Sequence, residues 1–233
     1  GRVCDTGRGR VWGRVSCYRE RSRLVVPRDT VEVLRPSMVY RFHAPVYDGK
    51  IRFRSGEPIS EVVAVLVGPT YSYFRYETHL ASLQGLALYD DLAREFQVIF
   101  GRKYRLIEEY HSANAEIVFV MMGSFATKAK EAVDQLRAAG KKVGLVRPRL
   151  FRPLPVEALY KALVGKKGVA VVDQNISMGK GGVLHTELAS ALYGRLEEPP
   201  ILASFIGGLG GREIATAECY DMGAVVRQSQ AKR

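Results

Sequence analysis

Glu116-Ile117-Val118-Phe119-Val120-Met121-Met122 is an unbroken apolar run that starts on an acidic residue and ends at Gly123. Apolar side chains on both faces of so short a run fit a strand buried on both sides, which requires helices above and below it. The residues after Gly123 fit that demand. Ser124 stands where a helix N-cap belongs, and Phe125, Ala129, Val133 and Leu136 recur at helical spacing until Gly140 stops the pattern.

Outward from that run the alternation repeats. Val143-Gly144-Leu145-Val146 reads as a second strand, and Pro155 opens a helix bearing Leu159 and Leu163 that closes at Gly165. Val169-Ala170-Val171-Val172 is a third strand, followed by a glycine-rich loop and a helix through Leu184, Leu188, Ala191 and Leu192. Ile201 to Ile206 is a fourth, followed by Gly207-Gly208-Leu209-Gly210-Gly211 and a final helix near Glu218. The strands start about 26, 26 and 32 residues apart, the length of a βαβ unit. The expectation is a three-layer αβα domain over 113–233 with an open, mostly parallel sheet.

Upstream the signals change. Over 61–112, Val62 to Val67 is a strand-like run closed by Gly68-Pro69, and a long helical pattern runs from Tyr73 to Phe100. Leu80, Leu83, Ala87, Leu88, Leu92, Phe96 and Ile99 carry that pattern, Gly85 offers a kink or break, and Gly101 is a stop. This segment is expected to pack on the core. Over 1–60, Pro27, Pro36, Pro45 and Pro58 with Gly49 and Gly56 give an irregular arm or linker.

Composition narrows the function classes. Hydrophobic residues make up 47% and charged residues 25%, values of a globular chain. Cys4, Cys17 and Cys219 lack the C-x-x-C spacing of a zinc site or iron–sulfur cluster and form no disulfide framework, so a reducing, cytoplasmic setting is expected. No apolar run approaches the roughly 20 residues that span a bilayer, and Gly1 to Arg10 contains no signal-peptide core. A first residue of glycine rather than methionine reads as a fragment or processed product. The net charge of +11 is concentrated in Arg2, Arg8, Arg10, Arg14, Arg19, Arg21 and Arg23, against Asp5 and Glu20. A basic arm of this kind is more often simply solvated than bound to nucleic acid, so nucleic acid is not the expected partner.

Nucleotide chemistry fails on spacing. The turn after the first strand has one glycine where a dinucleotide fold needs G-x-G-x-x-G, and no P-loop occurs. Two loops lie where ligands of such sheets bind. In the first, Gly179, Lys180 and Gly181, with the next helix N-terminus, offer an anion seat. In the second, Gly208 and Gly210 allow close approach beside Arg212. Each also reads as a tight strand-to-helix turn, which is the preferred reading, and a docking surface would suit Arg212 and Glu213 equally. His43, His79, His111 and His185 form no metal-spaced pair, no serine sits in G-x-S-x-G, and Glu108-Glu109 reads as a solvated pair. No catalytic or metal-binding residue is assigned. A stand-alone anion- or nucleotide-binding module and a basic-arm nucleic-acid binder remain as alternatives.

Over about Tyr71 to Ile214 the sequence resembles the α subunit of pyruvate (2-oxoacid):ferredoxin oxidoreductases. The resemblance is carried by Phe100-Gly101-Arg102-Lys103-Tyr104 with Ile107-Glu108-Glu109-Tyr110, by Met122-Gly123-Ser124, and by the run from Gly140 to Pro155. Val171-Val172-Asp173 with its glycine loop, and Phe205 to Arg212, complete it. It implies a transketolase C-terminal-like domain in an enzyme of anaerobic metabolism that converts a 2-oxoacid and CoA to acyl-CoA and CO2. That enzyme uses thiamine diphosphate and [4Fe–4S] clusters and passes electrons to ferredoxin. The implied partners are thiamine-binding β, γ and ferredoxin-like δ subunits. The family's thiamine domain would precede Val25, and residues 1–23 match none of the family's pattern. No cofactor is therefore expected on this chain alone, and its expected role is structural, at subunit interfaces.

Overall fold

The fold is that of a computed structural model, which describes residue 56 and residues 68–232. The strand-like run at 62–67 and nearly all of the 1–60 arm, with His43, Cys4 and Cys17, lie outside the described residues. The rest falls into two compact units that divide between Lys103 and Tyr104.

The first unit holds α1 (Gly68–Ala87) and α2 (Tyr89–Phe100). Pro69 occupies the first turn of α1, where its missing N–H leaves no bond unmade. The break between the helices falls at Leu88 rather than at Gly85, which stays inside α1. A single helical glycine costs only about 1 kcal/mol and breaks nothing by itself. Asp90 and Asp91 favour the first turn of α2. Gly101 ends it in the left-handed conformation, donating its N–H to the Gln97 carbonyl at 2.8 Å.

The second unit is a five-stranded sheet in the order β1-β3-β2-β4-β5. Its strands are β1 (Ile107–Tyr110), β2 (Ile117–Met121), β3 (Val143–Pro148), β4 (Gly168–Asp173) and β5 (Ile201–Ile206). Helices α3 (Phe125–Ala138), α4 (Val156–Leu163), α5 (Val183–Leu192) and α6 (Thr216–Ala231) connect or follow them. β3, β2, β4 and β5 run parallel to one another, and β1 joins β3 antiparallel with Ile107 opposite Pro148.

The alternation of side chains along each strand divides the core in two. Ile117, Phe119 and Met121 of β2 and Ala170 and Val172 of β4 face α3 and α6, meeting Ala129, Val133, Cys219 and Val226. Val118 and Val120, with Val169 and Val171, face α4 and α5, meeting Leu159, Leu163, Leu184 and Leu188. Both faces of the central strands are thus covered, and every residue of β2 and β4 is buried. The α/β reading holds.

Two details depart from the sequence reading. The sheet begins at Ile107, ahead of residue 113, because the short Ile107-Glu108-Glu109-Tyr110 segment is an edge strand. Edge strands carry charge and lack the continuous apolar run of a central strand. Ser124 takes the N-cap position of α3 and its carbonyl accepts the Thr127 N–H at 3.0 Å, but its side chain makes no capping hydrogen bond.

Candidate functional site

From β2 the chain crosses to one side to form β3, then returns past β2 to form β4 on the other. Between the carboxyl ends of β2 and β4 the connections therefore diverge, the place where open α/β sheets bind ligands. A cleft of about 150 Å³ lies there, lined by Met122, Phe125, Phe151, Val172, Val183, Leu184 and Ile214, with Asp173, Gln174 and Asn175. Its wall is mainly apolar.

Asp173 decides what the cleft can hold. This carboxylate is 2% exposed. It accepts the Leu184 N–H at 2.8 Å, the His185 N–H at 3.0 Å and the Asn175 side-chain amide at 3.4 Å. The Asn175 side-chain oxygen accepts the Val183 N–H at 3.2 Å. The free amides that open α5 are thus satisfied by the chain's own side chains, which also meet the preference of the helix dipole for negative charge. The seat an exogenous anion would use is filled. A carboxylate held by three donors, one a side-chain amide, is positioned as a cap rather than as a base.

The sequence candidates around this seat separate accordingly. Ser177 and Gly181 bridge at 2.7 and 3.0 Å, so Met178, Gly179 and Lys180 form a turn that projects from the domain. Gly179 and Gly181 supply its left-handed residues, at φ 80° and 97°. Lys180 is exposed there, and the amides of α5 that it was expected to assist already carry Asp173 and Asn175. The loop is a strand-to-helix connection with an internal cap, the reading preferred from the sequence.

In the second loop Gly208 lies against Phe125 and Gln174, which line the cleft. A Cβ on it would lie 2.9 Å from the Phe125 ring, so glycine lets the chain pass over that phenylalanine. Gly210 has φ 66° and open space around it. Arg212 turns away to Glu218 at 3.0 Å, while the other Glu218 oxygen accepts the Ala215 N–H at 2.7 Å. That is the reach of a capping-box glutamate at the start of α6. Glu213 pairs with Lys128 of α3. Arg212 and Glu213 therefore serve contacts within the domain.

Glu108, expected to be solvated, is a half-buried hub. Lys130 from α3 and Arg149 donate to it, and Arg147 of β3 stands 3.5 Å away. Burial works to raise its pKa, but the Lys130 hydrogen bond and the charges of Arg149, Lys130 and Arg147 outweigh that and hold it below the ordinary carboxylate range. Cys219 is buried and its thiol is pushed up to about 11, by burial first and the charge of Glu218 second. At neutral pH it is an inert core residue. His111 adopts φ 50° and lies 3.6 Å from Asp134, and the His185 backbone binds Asp173. Among the described residues no three His, Cys, Asp or Glu side chains gather as a metal site.

The apolar cleft and the self-capped helix meet the sequence of a known domain. Residues 115–219 match the family described as pyruvate:ferredoxin oxidoreductase core domain II. This α/β domain belongs to the 2-oxoacid:ferredoxin oxidoreductase family. The chain is 36% identical over 187 residues to pyruvate synthase subunit PorA of Methanothermobacter thermautotrophicus, covering 80% of this chain and 46% of that protein. It is 38% identical over 177 residues to ketoisovalerate oxidoreductase subunit VorA of Pyrococcus abyssi, covering 73% and 45%. The chain thus spans about half the length of the curated relatives it matches. Among solved structures, 2-oxoglutarate:ferredoxin oxidoreductase from Magnetococcus marinus aligns at a TM-score of 0.46 and 19% identity, over 78% of this chain and 28% of that one.

Sequence reasoning placed Asp173 at the start of the first loop but missed that its carboxylate caps the next helix. The signal for its role is the glycine at 182, because a Cβ there would lie 2.1 Å from the Asp173 carboxylate.

Proposed function

We propose that this chain is the scaffold and subunit-interface part of the α subunit of a 2-oxoacid:ferredoxin oxidoreductase. The complete enzyme converts a 2-oxoacid and CoA to acyl-CoA and CO2 while reducing ferredoxin, in the cytoplasm. Thiamine diphosphate, held elsewhere in the assembly, supplies carbanion stabilisation, and iron–sulfur clusters on other subunits carry the electrons. Partners are the thiamine-binding β, γ and ferredoxin-like δ subunits, with ferredoxin as acceptor. The family match supports the reading at the level of the enzyme.

One observation carries the reading at the level of the chain. The anion seat at the switch point is occupied by Asp173, which leaves a mainly apolar cleft with no nucleophile or base aimed into it among the described residues. This also disfavours a stand-alone phosphate- or nucleotide-binding module. Pyruvate and ketoisovalerate both appear among the relatives' names, so the choice of 2-oxoacid is assigned to parts outside this chain.

The test is co-expression of the tagged chain with the thiamine-binding and ferredoxin-like subunits of a related enzyme. Co-purification in fixed stoichiometry is expected. A chain that ignores those subunits, or that alone reduces ferredoxin with a 2-oxoacid and CoA, would overturn the proposal.

A further inference from the structure

The cleft at the carboxyl ends of β2 and β4 keeps its volume of about 150 Å³ after Asp173 has filled the anion seat beside it. An engineered cavity of about 150 Å³ lined by Leu, Ile and Phe side chains stays dry and takes up one benzene molecule. Room for one group of that size falls far short of the roughly 800 Å² per partner that a stable protein interface buries, so the cleft by itself fits a small molecule.

The lining sets the chemistry of that molecule. Phe125 and Phe151 offer ring contacts to an aromatic guest, and Met122 offers a polarisable sulfur. No lining residue is cationic, and the buried Asp173 carboxylate stands in the wall. An anion would lose its hydration there and gain no counter-charge. A cation would meet a carboxylate that already holds three donors. The fitting guest is neutral.

Gln174 supplies its polar anchor. The Gln174 side-chain N–H donates to the Gly208 carbonyl only at 3.5 Å, the outer limit of a hydrogen bond, and among the described residues its amide oxygen accepts none. The Asn175 side-chain oxygen, in contrast, already accepts the Val183 N–H. A Cβ on Gly208 would lie 2.9 Å from the Phe125 ring and 3.1 Å from the Gln174 Cγ, so ring and amide side chain approach the same glycine. We propose that the cleft binds one small neutral aromatic molecule with a single hydrogen-bonding group, its ring on Phe125 and its polar group on the Gln174 amide. This goes beyond the proposed enzymatic role and does not depend on it.

Phenol is the probe, and benzene and benzoate are its controls. The purified chain, labelled at its methyl groups, is titrated with each to about 20 mM and followed by proton–carbon NMR, because a ligand of about seven heavy atoms is expected to bind with a Kd on the order of 1 mM. Phenol and benzene are expected to shift the methyls of Val172, Val183, Leu184 and Ile214, while benzoate binds at least about tenfold more weakly than phenol. Gln174→Leu should weaken phenol by about three- to tenfold and leave benzene unchanged. Val183→Phe, which fills the cleft, should remove both responses with the other methyl signals in place. The proposal would be overturned by a lack of saturable shifts at those methyls, by benzoate binding as well as phenol, or by either variant keeping the wild-type phenol affinity. None of these results bears on whether the other enzyme subunits bind.

Discussion

Asp173 and Gly182 are one structural feature divided between two positions. The carboxylate reaches the amides of a helix that begins about ten residues later in the chain, and it fits only because position 182 carries no side chain. A Cβ there would sit 2.1 Å from one carboxylate oxygen and 2.7 Å from the Asp173 Cβ, distances that force the aspartate off its donors. Gly182→Ala is therefore expected to destabilise the domain by about 2–4 kcal/mol, the loss of a buried, hydrogen-bonded charge network. Urea unfolding would measure it, and an unchanged midpoint would mean the carboxylate does not cap α5. The sequence displayed both residues without their relationship. Helix caps are recognisable when the cap immediately precedes the helix, and here the residue in that place is glycine while the capping group comes from the end of β4.

At the scale of elements, the parallel strands were legible because each is a run of apolar residues that needs cover on both sides. β1 escaped because an edge strand of four residues with two glutamates has no such pattern. Beside the buried Ile107, charge holds β1 in place: Glu108 ties it to β3 through Arg147 and to α3 through Lys130, with Arg149 just beyond β3. The folded-state pKa of Glu108 lies below its unfolded value, so its stabilisation is fully present above the unfolded pKa of about 4.3 and disappears as pH falls through the folded value. At pH 7, Glu108→Gln is expected to cost about 1–2 kcal/mol, since it leaves half-buried cations without a counter-charge. The deficit should begin to shrink below the unfolded pKa of about 4.3 and close only as pH falls through the lower folded value, where the wild-type carboxylate is itself protonated. Thermal melts of both proteins across that range provide the check, and a deficit that persists in acid would assign the effect to packing instead. The placement of the break between α1 and α2 at Leu88 carries a related lesson, because a lone glycine marks a tolerance and not a boundary.

For the whole molecule, the order of strands puts the most protected backbone in the middle. β2 and β4 are buried along their full lengths, β5 is only partly buried, and α1 has no buried residue at all. Amide hydrogen exchange should follow that gradient, slowest in Val118–Met121 and Val169–Asp173, faster in Ile201–Ile206 and fastest in the first turns of α1. Uniform protection across the chain would contradict it. The family resemblance was legible in separate blocks of sequence, and the structure explains why those blocks are short. Phe100-Gly101 is a helix stop, Met122-Gly123-Ser124 is a strand-to-helix turn, and Phe205 to Gly211 leads from the end of β5 into a 3-10 turn. Each is a place where backbone geometry, not chemistry, restricts the choice of residue. That is also why the sequence revealed the scaffold more readily than the cleft, whose lining is drawn from positions far apart in the chain.

The self-capped start of α5 bears on biosynthesis. A protein that relies on a bound phosphate to quiet a helix terminus must wait for its ligand before that region can settle as it leaves the ribosome. Here the neutralising group is encoded in the polypeptide, so this corner of the sheet can settle during translation without waiting for a ligand.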